Sequence, residues 1–324
     1  MPLFFLCSGY CYVQKNIKMI NWTKKKLRSL WWPNFVSVLL INVFSNVLLD
    51  LHIVAESAFS RFSVAGFIKN VFKAILFGGG SQLLGANWFL RTLFGGLVIY
   101  EILNRIWGRY YINRFLMLIV LGILLVFGWI LTIMKPHLGM YLNIFSVPLL
   151  LEMGRVIKER RDVKKYLSFP HKILCSLFCG VLLCELSKIG AISMNYNILC
   201  NPLFFVLCSL LGFFMTLGIC DFILQYMKKI GGVLIYLGQK SLIIMILHFI
   251  AFKAVTLLQI IVYRDSIEML SEYPVYFVNG GWWIAYSMVG ICIPVLLYLL
   301  HKRMLLFVKS FIHQYGDIKT KGSE

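Results

Sequence analysis

The chain has 324 residues, of which 60% are hydrophobic and only 14% charged, where a soluble domain averages about 25% charged. The mean hydropathy is +0.81, more apolar surface than a water-soluble fold of this size can bury, so lipid is part of the solvent. A secreted disulfide scaffold, a disordered chain and an ordinary cytosolic enzyme are thereby excluded. The formal net charge of +19 reads as basic loops flanking a membrane rather than as a nucleic-acid footprint, because Lys and Arg fall in short stretches between apolar runs.

No polar linker and no repeat divides the sequence, which predicts one membrane-embedded domain over 1–324 with a tail over 301–324. The fold class is all-α, a polytopic helical bundle. A crossing helix needs about 20 apolar residues. In chain order the apolar runs are 1–13, 34–53, 88–104, 115–134, 138–154, 173–187, 202–224, 241–262 and 282–300, about nine spans. The first is too short to cross by itself. Segment 62–84 is amphipathic and carries Gly78, Gly79 and Gly80; it is expected at the interface or folded into the bundle. Cys7, Cys11, Cys175, Cys179, Cys184, Cys208, Cys220 and Cys292 lie inside apolar runs and Cys200 beside a loop. No pair has metal-site spacing, and these thiols read as small apolar residues.

The loops alternate in charge. Stretches 14–33, 105–114, 155–172, 225–240 and 301–324 hold 24 Lys and Arg, whereas 54–87, 135–137, 188–201 and 263–281 hold 6. The basic set is cytoplasmic, which places the C-terminus inside and loop 263–281 outside. The sequon Asn21-Trp22-Thr23 then lies on the wrong side for glycosylation. Nine spans with the C-terminus inside put Met1 outside, although the run 1–13 has no basic n-region and no cleavage site. The expectation is that further residues upstream complete this span and add one more, ten in all.

Four stretches in order carry a family resemblance. They are Met1-Pro2-Leu3-Phe4-Phe5 through Ser8-Gly9-Tyr10; Lys25-Lys26-Leu27-Arg28 followed by Pro33; Trp88-Phe89-Leu90 with Leu93; and Leu237-Gly238-Gln239-Lys240-Ser241-Leu242 through His248. Together they resemble acyltransferase family three, and most of all its branch of fucose 4-O-acetylase-like and capsular polysaccharide O-acetyltransferases. The second stretch has Lys25 where the family's R-x-x-R has its first Arg. The resemblance begins at the family's second span. It implies that the first-span Arg and His, the latter thought to act in acyl transfer, are absent from this chain.

The resemblance implies a multi-pass enzyme of the bacterial cytoplasmic membrane. It would move an acyl group, usually acetyl, from acetyl-CoA in the cytoplasm to a hydroxyl of a surface or lipid-linked glycan. Such chemistry needs a base for the hydroxyl proton, donors for the oxyanion and cations for the CoA phosphates. Lys25 and Arg28 are the candidate CoA-binding residues, with Lys24 and Lys26 beside them; the alternative is plain positive-inside anchoring with Trp31 and Trp32 at the interface. His248 is the histidine well inside a late span, read as structural support or substrate positioning before general base. Ser241 reads as a helix N-cap. Asn42, Asn46 and Asp50 share one helix face and either line the acceptor route or glue helices together. Trp88 either marks the outer interface or stacks on a sugar, and Arg91 follows it by one turn. Glu152 stands one turn before Arg155, a spacing that predicts local pairing. No metal and no nucleic acid is expected. The readings from other classes are a glycolipid transporter or flippase, and an inactive remnant of the acyltransferase.

Overall fold

The structure, a computed structural model, describes residues 1–13, 17–57, 60–78, 82–109, 113–160 and 169–321. Gly79, Gly80 and the middle of the basic loop 155–172 lie outside the described residues. Among the described residues there is no strand, only one isolated bridge between Ser193 and Ile198. The helices are α1 (Pro2–Tyr10), α2 (Met19–Lys26), α3 (Trp32–Val43), α4 (Ser45–Asp50), α5 (Val64–Ile75), α6 (Trp88–Arg109) and α7 (Arg114–Met134). They continue as α8 (Gly139–Leu142), α9 (Val147–Glu159), α10 (Phe169–Leu186), α11 (Pro202–Tyr226), α12 (Lys228–Gln239), α13 (Ser241–Tyr263) and α14 (Trp282–Lys321). A π-helical turn, Leu27–Trp31, joins α2 to α3.

Among the described residues, six helical stretches are long and apolar enough to cross a membrane: Gln82–Arg109, Arg114–Met134, Pro136–Glu159, Pro202–Tyr226, Ser241–Tyr263 and Trp282–Val308. These six carry the apolar runs that start at 88, 115, 138, 202, 241 and 282. The three remaining runs of the expected nine fall in α1, in α3 with α4, and in α10. At nine residues, α1 is about 14 Å long. The run 34–53 is interrupted at Phe44, between α3 and α4. Just before the break the Asn42 amide donates to the Val38 carbonyl at 2.7 Å, the kind of side-chain bond that competes with a helix ladder. Lipid contact explains the outward apolar surface of α7, where Phe115, Ile119, Ile123, Phe127 and Ile130 are all exposed.

The chain forms two compact units, Met1–Asn34 with Trp88–Val233, and Phe35–Asn87 with Leu234–Glu324. In the first, α1 lies against α9 with no room for side chains between them. A β-carbon on Gly154 would overlap the Leu6 carbonyl. Small residues allow such backbone contact between apolar helices. Around this crossing Phe5, Leu6, Leu90, Tyr100, Leu150 and Leu151 are buried. In the second unit the core joins Val38 and Ile41 of α3, Val54, Ala74 of α5, Leu83 and Leu84, and Ile246 of α13. The amphipathic segment forms α5, whose N-cap Ser63 accepts from the Gly66 amide at 3.1 Å. With twelve residues it is too short to cross.

Candidate functional site

In the first unit a polar network ties the ends of α1, α6, α7 and α9. Glu152 is fully buried and Glu101 nearly so. The Tyr100 hydroxyl donates to Glu152 at 2.5 Å, and Arg114 pairs with the same carboxylate at 3.3 Å. The Tyr12 hydroxyl and the Arg105 Nε, the latter at 2.7 Å, both donate to Glu101. Arg155 donates to Asn104 at 2.8 Å and to the Tyr100 hydroxyl at 3.4 Å, pairs with Glu159 at 3.1 Å, and lies over the Tyr12 ring. Local pairing of Glu152 with Arg155 was the expectation from spacing. The structure instead gives Glu152 to Tyr100 and Arg114, with the Tyr100 hydroxyl bridging it to Arg155. The reason is direction: Glu152 faces α6, which presents a phenol there. Three carboxylates thus meet three guanidiniums, and the buried charges of Glu101, Glu152 and Arg155 are compensated by these partners.

The basic turn of α2 stands beside this network and outside its charge balance. Lys24, Lys25 and Arg28 are exposed and form no ion pair among the described residues. Lys26 is partly buried, with its ammonium 5.8 Å from the centre of the Trp22 ring. Burial and then the like charge of Lys25 push the Lys26 ammonium below its ordinary range, while Glu101 pulls the other way. A cationic group held under such pressure gains from an anion. Lys25 and Arg28 therefore sit in one exposed basic turn that forms no ion pair among the described residues.

Trp88 and Arg91 are also in this unit, at the opposite end of α6 from Glu101. Arg91 donates to the Met140 carbonyl and stacks on Tyr141, 4.7 Å from its centroid. It fastens α6 to the 140–141 segment. Trp88 lines a pocket with Leu3, Asn195, Cys208 and Ser209. Asn195 and Ser209 were not legible as candidates, since a lone amide and a helical serine carry no spacing signal.

The second unit holds Asn42, Asn46, Asp50 and His248. The three polar residues of the shared face are engaged by α5 and the segment that leads into it. Asn42 accepts from Asn70 at 2.6 Å, Asn46 accepts from the Phe62 amide at 2.8 Å, and Asp50 pairs with Arg61 at 3.1 Å. Asp50 also lines a cleft of about 440 Å³ with His52, Glu56, Arg61 and Glu268. His248 points Nδ1 at the Met245 and Ile244 carbonyls, 2.8 and 3.2 Å away, and its ring packs on Phe249 and Phe252. Carbonyls only accept, so Nδ1 carries a hydrogen and the neutral ring leaves Nε2 as its acceptor. The expected N-cap role of Ser241 is corrected: the N-cap position is Lys240, and Ser241 is the first helical residue with no capping bond. Lys240 there reaches the Tyr298 hydroxyl at 3.0 Å and covers that ring, so the helix starts one residue earlier than the serine suggests.

Among the described residues no group of three or more His, Cys, Asp or Glu is placed to hold a metal ion. One family model matches the chain, that of an acyltransferase domain, over residues 1–303. No curated protein matches, and no solved structure does.

Proposed function

The chain is a member of the acyltransferase domain family, the third of that name, and on this premise we propose that it carries an acetyl group from acetyl-CoA to a sugar hydroxyl of a surface polysaccharide or its lipid-linked precursor. The site of action is the bacterial cytoplasmic membrane, with the basic loops and the C-terminus in the cytoplasm. The observation that carries the proposal is the basic turn Lys24–Arg28. Lys24, Lys25 and Arg28 form no ion pair among the described residues, and Glu101 acts only on Lys26 in this turn. CoA brings phosphates and meets that need at the face where it is made.

In the reaction the acceptor oxygen attacks the thioester carbonyl, its proton passes to a base, and the CoA thiolate leaves. Within this chain Lys25 and Arg28 hold the phosphates and Lys26 adds charge beside them. In the second unit His248 fixes its ring through Nδ1 and keeps Nε2 as an acceptor. The membrane spans exclude bulk water from the transfer, which protects the thioester from hydrolysis.

The test is direct. Membranes from bacteria that overproduce the full chain are given radiolabelled acetyl-CoA, and the envelope glycan is isolated. Label that is released by mild alkali as acetate supports the proposal. Intact acetyl-CoA and unlabelled glycan, together with faster translocation of a glycolipid, would replace it with a transporter.

A further inference from the structure

In the second unit, helix α5 (Val64–Ile75) presents three different sides. One side holds it to the unit: Asn70 donates to Asn42 at 2.6 Å, and Ala74 is fully buried in the core. The second side is apolar and faces outward, since Val64, Ile68, Phe72 and Ile75 are all exposed. Their spacing of four, four and three residues makes them one stripe. The third side carries Lys69 and Lys73, exposed and one turn apart. At 3.6 residues per turn these sides stand about 120° from one another. The two lysines form no ion pair among the described residues. The two acids nearest to them along the chain, Asp50 and Glu56, are both held by Arg61, at 3.1 and 3.4 Å.

We propose that the outward sides of α5 form a binding site for an anionic phospholipid, with acyl chains on the stripe and the phosphate held by Lys69 and Lys73. The two sides together select that ligand. A water-soluble anion would neutralise the lysines and leave four large apolar side chains in water. A lipid tail by itself would cover the stripe and leave two ammonium groups without a counterion. A phospholipid brings tail and phosphate on one molecule. Lysine suits the join, because its apolar stem lies along the edge of the stripe while its ammonium reaches the headgroup layer. A zwitterionic headgroup such as phosphatidylcholine carries its own cation, so phosphatidylglycerol or cardiolipin gains most. A short helix with one apolar and one basic side is the form that rests at the lipid boundary. In the orientation proposed above this segment belongs to the outer face, where basic residues are few. Two lysines kept there without an acid call for a partner of opposite charge.

Photo-crosslinking reads the occupant without any need for turnover. The photoreactive residue p-benzoylphenylalanine replaces Phe72, which is 66% exposed and so has room for the larger ring. The full-length protein is placed in nanodiscs of equimolar phosphatidylglycerol and phosphatidylcholine and illuminated, and mass spectrometry identifies the attached lipid. Phosphatidylglycerol adducts are expected to outnumber phosphatidylcholine adducts about fivefold for each lysine. Lys69→Gln combined with Lys73→Gln should bring the two to parity, and Lys69→Arg combined with Lys73→Arg, which keeps both charges, should retain the preference. The same probe in place of Ile123, exposed on α7, should attach both lipids equally. Absence of lipid adducts at position 72, or equal adducts of the two lipids, overturns the proposal. A preference that survives loss of both lysines, or one of the same size at position 123, also overturns it. A covalent dimer in place of lipid adducts gives the stripe to a second copy of the chain and overturns it as well.

Discussion

A β-carbon on Gly9 would overlap the Leu151 carbonyl group, because α1 and α9 cross there backbone to backbone. The same crossing carries Gly154 against Leu6. These contacts hold Tyr12 at the height of Glu101 and so join α1 to the polar network. Gly9→Ala is expected to force the helices apart at a cost of about 1–3 kcal/mol. Thermal denaturation in detergent should show a clear loss. Gly122→Ala, where a β-carbon meets nothing within 4 Å, should leave the midpoint unchanged.

Tyr100 and Glu152 form the buried centre of the network. Tyr100→Phe keeps the ring and deletes the hydroxyl, so Glu152 is left with Arg114 alone among its two polar partners. The expected cost is about 1–3 kcal/mol. Glu152→Gln removes the charge from Arg114, which is 42% exposed and keeps Glu159 at 3.1 Å, and should cost no more than Tyr100→Phe, about 1–2 kcal/mol. Denaturant titration of the two variants checks the order; a much costlier Glu152→Gln would mean that the carboxylate holds more of the network than Arg114.

Arg28→Ala should raise the KM for acetyl-CoA about tenfold, which corresponds to 1.4 kcal/mol, with kcat nearly held. Loss of one phosphate contact removes binding rather than transition-state stabilisation. Initial rates over a range of acetyl-CoA concentrations provide the measurement. An unchanged KM returns Arg28 to membrane anchoring.

On the proposal that the basic turn holds acetyl-CoA, use of that donor should be sensitive to alkaline pH through Lys26. Its folded pKa is depressed by burial and Lys25, so its ammonium discharges below the range of an ordinary lysine. The sign follows: at neutral pH the folded state carries the cost of the charge, and the cost is shed as pH rises through the folded pKa. Affinity for acetyl-CoA should fall over that same window, and Lys26→Arg should remove the fall. A wild-type KM that stays flat up to the ordinary lysine range would show that Lys26 lies away from the phosphates.

Orientation is open to chemical labelling. Asn279→Cys places a thiol in loop 263–281, where the native residue is exposed. A membrane-impermeant maleimide added to intact cells should label it. Labelling only after permeabilisation would reverse the assignment of the cytoplasmic face.

Much of the fold was legible because hydropathy is summed along the chain. Six apolar runs reappear as helices of crossing length, and α5 appears where an amphipathic segment was read. The run 34–53 reads as one stretch, whereas the structure breaks it at Phe44, after a side-chain bond from Asn42 to the Val38 carbonyl that composition does not register. The face of Asn42, Asn46 and Asp50 was visible as a period. Its partners Asn70, Phe62 and Arg61 were not, because they are supplied by a segment that folds back.

The sequence by itself determined that this protein lives in lipid, that it is helical, and which loops are basic, since each follows from residue type and order along one strand of chain. Tertiary structure alone decided which charges are spent and which are free. Glu152 chose Tyr100 and Arg114 over the guanidinium one turn away, and Lys25 and Arg28 were left without an acidic partner among the described residues. Such choices depend on distances between segments far apart in order, where a buried carboxylate takes whichever donors packing brings within 3 Å or so.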